Sequence, residues 1–198
     1  MPLPRLVFTF SMLVQMYVPE LSASWREMKG RRLQNWGGTP LRSGLVAEPL
    51  PAFLEALSDR LVTARVFGTR RPNHGLINEY DGDQGIMAHK DGPIYFPRVA
   101  IVSLHGSTMF EFRRELKSEP LLELLVEPRS LLIFQDAAYH ELYHAIPPRF
   151  TDTITARTVN APSLTAAAYE RSLRISITLR VVPTVEERQR ETESKGES

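Results

Sequence analysis

Arg174-Ile175-Ser176-Ile177-Thr178-Leu179-Arg180 alternates without a break, polar residues at one parity and branched apolar residues at the other. Successive side chains of a strand point to opposite faces. This stretch therefore presents Arg, Ser, Thr and Arg on one face and Ile, Ile and Leu on the other. The pattern predicts a strand from about Leu173 to Val182. Two settings suit it. One is an edge strand whose polar face is solvated. The other turns that face into a cavity holding a dicarboxylate, because arginine gives paired, charge-assisted hydrogen bonds to a carboxylate and serine and threonine add donors. In the second setting the apolar face packs on a helix near Leu57.

Upstream, Leu76-Ile77-Asn78-Glu79-Tyr80 reads as a strand ended by the turn cluster Asp81-Gly82-Asp83, and Ile86 through Asp91 reads as another. Val99–Leu104 and Met109–Phe112 read as a pair across His105-Gly106-Ser107. Leu121–Val126 and Ser130–Phe134 flank the turn Glu127-Pro128-Arg129. Residues 25–47 suggest short strands with turns. Pro49 and Pro51 introduce a helix in which Phe53, Leu57, Leu61 and Ala64 recur at helical spacing, closed by Gly68 and Pro72. Residues 147–168, with three prolines among Ser, Thr and Ala, read as a long loop. One early helix and about eight short strands predict an α+β fold: a β-sandwich of two antiparallel sheets, closed as a jelly roll, with the helix on the outer sheet.

The chain has 198 residues, enough for one domain with a real core. That domain is expected over 25–183, after an atypical segment 1–24 and before a charged tail 184–198 that has no apolar period and is expected to be disordered. The apolar start, Leu6 through Val14, is too short and too interrupted to span a bilayer, and reads as a buried first strand or an odd chain start rather than a signal peptide. No membrane partner is expected, and a monomer is. The 24 basic and 23 acidic residues give a net charge of +1, so any nucleic-acid role would need a local basic patch. There is no cysteine, which removes disulfides, thiolate zinc sites and a cysteine nucleophile, and fits a reducing compartment.

His89-Lys90-Asp91 places an imidazole and a carboxylate two positions apart, on one face if the segment is a strand. With His144 they would make two histidines and one carboxylate, which can occupy one face of a six-coordinate iron and leave the other open, as in non-haem Fe(II) oxygenases. A lone His-x-Asp is also an ordinary turn dyad. His140 is the rival for the third position. His74 and His105 read as turn or surface residues.

Taken together, His89-x-Asp91, His144, Arg174 and Arg180, with Asn78-x-Tyr80 upstream, resemble the Fe(II)/2-oxoglutarate dioxygenases of the AlkB family, whose core is a double-stranded β-helix, a form of jelly roll. Gly30-Arg31-Arg32-Leu33-Gln34-Asn35-Trp36-Gly37-Gly38, Gly85-Ile86-Met87-x-His89-x-Asp91-Gly92-Pro93 and Glu127-Pro128-Arg129-Ser130-Leu131-Leu132 look most like the branch called AlkB homologue six. The likeness runs from about Trp25 to Pro183. His144-Ala145-Ile146 matches that family's His-Gly-Ile pattern better than His140 does, with Ala145 in place of a common glycine.

The resemblance implies Fe(II) on His89, Asp91 and His144. It implies 2-oxoglutarate with its far carboxylate on Arg174, Ser176 alongside, Asn78 and Tyr80 adding hydrogen bonds, and Arg180 near the iron end. It implies oxygen as cosubstrate and oxidative demethylation of an alkylated base in DNA or RNA, in the nucleus or the cytoplasm. The segment before the first core strand covers the nucleobase in that family, which puts Arg31, Arg32 and Trp36 forward for phosphate contact and stacking. The other setting for these three is a core Trp beside a glycine turn with solvated arginines. A same-fold dioxygenase acting on a protein or lipid, and a nucleic-acid-binding module without turnover, are the competing functions.

Overall fold

Residues 24–161 and 168–186 are described by the structure, a computed structural model. The apolar start from Leu6 to Val14 and most of the charged tail lie outside the described residues. In chain order the elements are β1 (Arg26–Met28), β2 (Arg31–Trp36), β3 (Gly38–Leu41), β4 (Gly44–Ala47), α1 (Ala52–Thr63), β5 (His74–Tyr80), β6 (Ile86–His89), β7 (Arg98–His105), β8 (Thr108–Arg113), β9 (Leu122–Val126), β10 (Leu131–Gln135), α2 (Ala137–His140), β11 (Tyr143–Ile146), β12 (Thr151–Thr153), β13 (Ala168–Glu170), β14 (Arg174–Arg180) and β15 (Val185–Glu186).

Two antiparallel sheets form the sandwich. The larger runs β1-β2-β5-β14-β7-β10 and the smaller β6-β11-β8-β9. The expected jelly-roll core, with its helix on the outer face of the large sheet, is what the chain adopts. β14 is no edge strand: it pairs with β5 on one side and β7 on the other, and all seven of its residues are buried. Its alternation therefore separates two interiors rather than core from solvent. Ile175, Ile177 and Leu179 join Phe53, Leu54, Leu57 and Leu61 of α1 in one cluster. Each such leucine stabilises by roughly 1.5–3 kcal/mol on burial. Pro51 caps the helix start, Glu55 lies in its first turn and Arg60 in its last, both favourable to the helix dipole. The second cluster, with Tyr80, Val99, Ile101, Phe110, Phe112 and Phe134, fills the space between the sheets.

Three local expectations are corrected. Val99–Leu104 and Met109–Phe112 do not form a hairpin. β7 belongs to the large sheet and β8 to the small one. Gly106 turns the chain between them at φ 67°, where a Cβ would lie 2.4 Å from the Leu173 carbonyl oxygen. β9 and β10 likewise belong to opposite sheets. Strands buried on both faces carry no alternation that tells a hairpin from a crossing between layers. Second, the loop read over 147–168 contains β12, which pairs with β13. Third, the tail read from residue 184 begins with β15, which pairs in parallel with Leu45 and Val46. Among the described residues, no helix is long and apolar enough to cross a membrane.

Candidate metal centre and its cavity

Strand register assembles the site. Across β14 and β5, Arg174 lies opposite Tyr80, Ser176 opposite Asn78, and Arg180 opposite His74. All six share one face, turned toward the small sheet. On that sheet His144 of β11 lies opposite His89 of β6. Between the layers is a cavity of about 60 Å³, lined by Asn78, Tyr80, Arg174, Ser176, Arg180, His89 and His144 and by apolar walls that include Leu76, Val99, Ile101, Phe110 and Ile146.

The candidate ligand atoms of His89, Asp91 and His144 all lie within 4.8 Å of one another. The histidine ring centroids are 4.2 Å apart. Asp91 does not share the strand, because β6 ends at His89. Same-face geometry therefore does not place it. Arg180 does: its Nη2 is 2.7 Å from Oδ1 and its Nε 3.2 Å from Oδ2 of Asp91. His89 Nδ1 lies 2.8 Å from the Met87 carbonyl oxygen. A carbonyl only accepts, so Nδ1 carries the proton and Nε2 keeps its lone pair. His144 is buried and stacks on Phe110, with ring centroids 5.6 Å apart and planes 12° apart. Burial lowers the pKa of His89 and takes that of His144 well below the ordinary value; His89 and Arg180 add to the shift at His144. Both rings are held neutral, the form that ligates a metal. Two imidazoles and one carboxylate suit Fe(II).

Arg174 is buried at 3 % exposure. It donates from Nη1 to Ser176 Oγ at 2.8 Å and from Nη2 to Ser103 Oγ at 3.3 Å, and its Nε has no partner among the described residues. Among the described residues no carboxylate pairs with it. Its guanidinium carbon lies 5.5 Å from the Tyr80 ring centroid. Burial pulls its pKa down to about 10. A guanidinium deep in the cavity, hydrogen-bonded to hydroxyls and meeting no carboxylate among the described residues, suits the far carboxylate of 2-oxoglutarate.

Of the residues put forward for substrate, only Arg31 reaches the cavity, with its Nε 3.1 Å from Asn78 Oδ1. Arg32 and Trp36 are corrected to the other face of β2, because alternate strand positions point apart. Arg32 pairs with Glu79, Nε to Oε1 at 2.5 Å, and sits 4.7 Å over Trp25. Trp36 packs against the cluster around α1 and donates to Gln34 Oε1 at 3.1 Å. His140 is exposed and contributes its carbonyl to Lys90. His74 is no surface residue: it is 1 % exposed, with Nε2 2.8 Å from Asn35 Oδ1. His105 is exposed. Thr178 lines the cavity on the polar face read from the alternation of its strand, whereas Ser103, which bonds Arg174, is a site residue that the sequence reading misses. Ser103 is a lone polar residue in the apolar run Val99–Leu104, and that interruption was its only signal.

The sequence pattern of the 2OG-Fe(II) oxygenase superfamily matches residues 11–180, beginning inside the segment set apart as atypical. The chain is 37% identical over 175 residues to the "Probable RNA/DNA demethylase ALKBH6" of Danio rerio, covering 81% of this chain and 75% of that protein. It is 29% identical over 138 residues to "Uncharacterized protein L905" of Acanthamoeba polyphaga mimivirus, covering 69% and 60%. Among solved structures it is similar in fold to OsALKBH1, with a TM-score of 0.51 at 15% identity over 77% of this chain and 78% of that one. It is also similar to a 2OG-Fe(II) oxygenase-family oxidoreductase from Burkholderia pseudomallei, with a TM-score of 0.53 at 14% identity over 86% and 74%. Motifs, register, donor set and relatives agree: the chain belongs to the 2OG-Fe(II) oxygenase superfamily, among its AlkB-like members, and is an oxidoreductase that uses Fe(II), 2-oxoglutarate and oxygen.

Proposed function

We propose that this chain oxidatively demethylates an alkylated nucleobase in DNA or RNA. The observation that carries the reading is one cavity with His89 and His144 on one wall, Asp91 within ligand distance of both, and on the other wall a buried arginine that no carboxylate pairs among the described residues. The name of the Danio rerio relative supports the nucleic-acid substrate.

In this reading His89, Asp91 and His144 hold Fe(II). Arg174, with Ser176 beside it, takes the far carboxylate of 2-oxoglutarate, and Asn78 and Tyr80 add hydrogen bonds. When bound, iron and cosubstrate supply the oxidation that turns an N-methyl group into an N-hydroxymethyl group, which leaves as formaldehyde. The protein's part is positioning. Met87 fixes the His89 tautomer through Nδ1, and Arg180 orients the Asp91 carboxylate. Val99, Ile101, Phe110 and Ile146 exclude water from the reacting end. In this reading the protein acts as a monomer, in the nucleus or the cytoplasm where its substrate lies.

The test is succinate formation from 2-oxoglutarate with Fe(II), ascorbate and oxygen, for wild type and His89→Ala, followed by formaldehyde release from methylated oligonucleotides. Succinate from wild type alone, with formaldehyde from a methylated strand, is expected. Succinate without formaldehyde from any methylated oligonucleotide would turn the reading toward a protein or lipid substrate. Salt-sensitive nucleic-acid binding with neither product would turn it toward a binding module.

A further inference from the structure

Among the described residues three guanidiniums converge on the cavity, and the roles above use two of them. Arg180 is forked on Asp91, and Arg174 faces the place of the dicarboxylate. Arg31 enters from β2, half-buried, with only its Nε bonded among the described residues, to Asn78 Oδ1. The convergence registers at Tyr80, where burial raises the phenol pKa and Arg174, Arg31 and Arg180 all oppose the rise. Among the described residues that line the cavity none is an Asp or Glu, and Asp91 beside it is already engaged by Arg180.

A surplus of positive charge in a narrow, partly apolar site discriminates among methylated bases. Methylation at N1 of adenine or N3 of cytosine uses a ring lone pair and leaves a cation. Methylation at N1 of guanine or N3 of uracil replaces a proton, so the base stays neutral and keeps a carbonyl oxygen beside the methylated nitrogen. Like charges a few ångströms apart in such a site repel strongly. Arginine offers paired N–H donors to base oxygens. We infer that Arg31 is a specificity-determining residue that admits neutral alkylated bases with a carbonyl next to the methylated nitrogen, such as N1-methylguanine and N3-methyluracil, and rejects cationic ones such as N1-methyladenine and N3-methylcytosine. The inference rests on the demethylase reading and deepens it.

The experiment uses four single strands of one sequence, each carrying one of these bases. Formaldehyde release gives kcat/KM at saturating 2-oxoglutarate for wild type, Arg31→Gln and Arg31→Glu, and KM for 2-oxoglutarate is measured alongside. Wild type is expected to favour the two carbonyl bases by about tenfold or more, a size of discrimination that a lost or mispaired polar contact produces. Arg31→Gln narrows the ratio and Arg31→Glu inverts it, with KM for 2-oxoglutarate little changed in the Gln variant. If Arg31→Glu does not fold, the neutral Gln variant carries the test. Equal or better turnover of the cationic bases by wild type overturns the inference and leaves demethylation standing. So does a ratio that neither substitution moves, or an effect confined to KM for 2-oxoglutarate through Asn78. Formaldehyde from none of the four strands, while succinate still forms, removes the demethylase reading and this inference together.

Discussion

Arg180 grips Asp91 with two nitrogens, Nη2 at 2.7 Å from one carboxylate oxygen and Nε at 3.2 Å from the other. The contact ties the end of β14 in the large sheet to the segment that follows β6 in the small one. It holds a carboxylate that β6 itself does not hold. Tyr95 covers the outer side, its ring centroid 4.8 Å from the guanidinium carbon. Arg180→Lys keeps the charge and loses the planar fork. Fe(II) affinity is expected to fall roughly 10–100-fold, the usual effect of losing an outer partner of a metal ligand. Anaerobic titration of Fe(II), or of Co(II) as a spectroscopic substitute, reads it. Unchanged affinity would mean that the metal orders Asp91 without help.

Arg174 sets ligand binding against stability. Its charge is buried, and among the described residues it meets two serine hydroxyls and the Tyr80 ring but no carboxylate. Arg174→Met removes a buried charge and keeps most of the volume. Replacing buried ionic groups with apolar ones of similar size is often neutral or stabilising, so stability is expected to hold or rise by about 1 kcal/mol. Affinity for 2-oxoglutarate is expected to fall about 100-fold, as for a lost charge-assisted pair of roughly 3 kcal/mol. Urea denaturation and 2-oxoglutarate titration together check this. A variant less stable by several kcal/mol with full cosubstrate affinity would assign Arg174 to the core.

How far the sequence could be read follows from what each residue had to signal. The period-two alternation of Arg174–Arg180 specified the strand and both its faces, because each face is buried against a different partner. Period alone did not say whether the polar face met water or a cavity. Asn78 and Tyr80 fell into register with Ser176 and Arg174 as two alternating strands must, once the strands are neighbours. Neighbourhood itself was invisible: β7 and β8, adjacent in sequence, lie in different layers. His74 was misread because nothing local tells a buried histidine from an exposed one; its burial depends on Asn35 and Tyr95, far off in the chain. Trp36 shows the same limit on β2, where one residue of parity decides between cavity and core.

His74 also sets a pH dependence. Burial, and then the charge of Arg180, push its pKa from 6.5 down to about 4. Its Nδ1 is buried with no partner among the described residues, so protonation there gains no hydrogen bond from them. The folded pKa lies below the unfolded one. The contribution is thus whole above pH 6.5 and is lost as pH falls toward 4. It amounts to roughly 3 kcal/mol at most, at 1.36 kcal/mol per unit. Burial lowers His89 and His144 in the same sense, so the metal-free protein is expected to lose Tm steeply through this window. His74→Gln is expected to make that slope shallower. Equal slopes of Tm against pH for the two proteins would remove His74 from the account.

Asp152 holds the segment that looked like loop. Its Oδ1 accepts from Arg149 Nε at 2.7 Å and Arg171 Nη2 at 2.7 Å; its Oδ2 accepts from Arg171 Nε at 2.6 Å and the Met109 amide at 2.8 Å. Burial, the largest influence on its pKa, pushes upward, yet Arg171 and Arg149 bring the balance below the ordinary value. Arg171 also donates to the Pro147 carbonyl at 2.7 Å. The cluster joins β12, the start of β14's approach and β8 of the small sheet at one point. Asp152→Ala strands the Arg171 guanidinium, which is 3 % exposed, without its acid. Breaking a buried pair from one side costs about 3–5 kcal/mol, and urea denaturation should show a loss of that size. The ligand group itself does not touch this cluster, so Fe(II) binding measured well below Tm is expected to persist. A small stability change, or loss of Fe(II) binding in a folded variant, would mean that Asp152 acts on the metal site rather than on the framework around it.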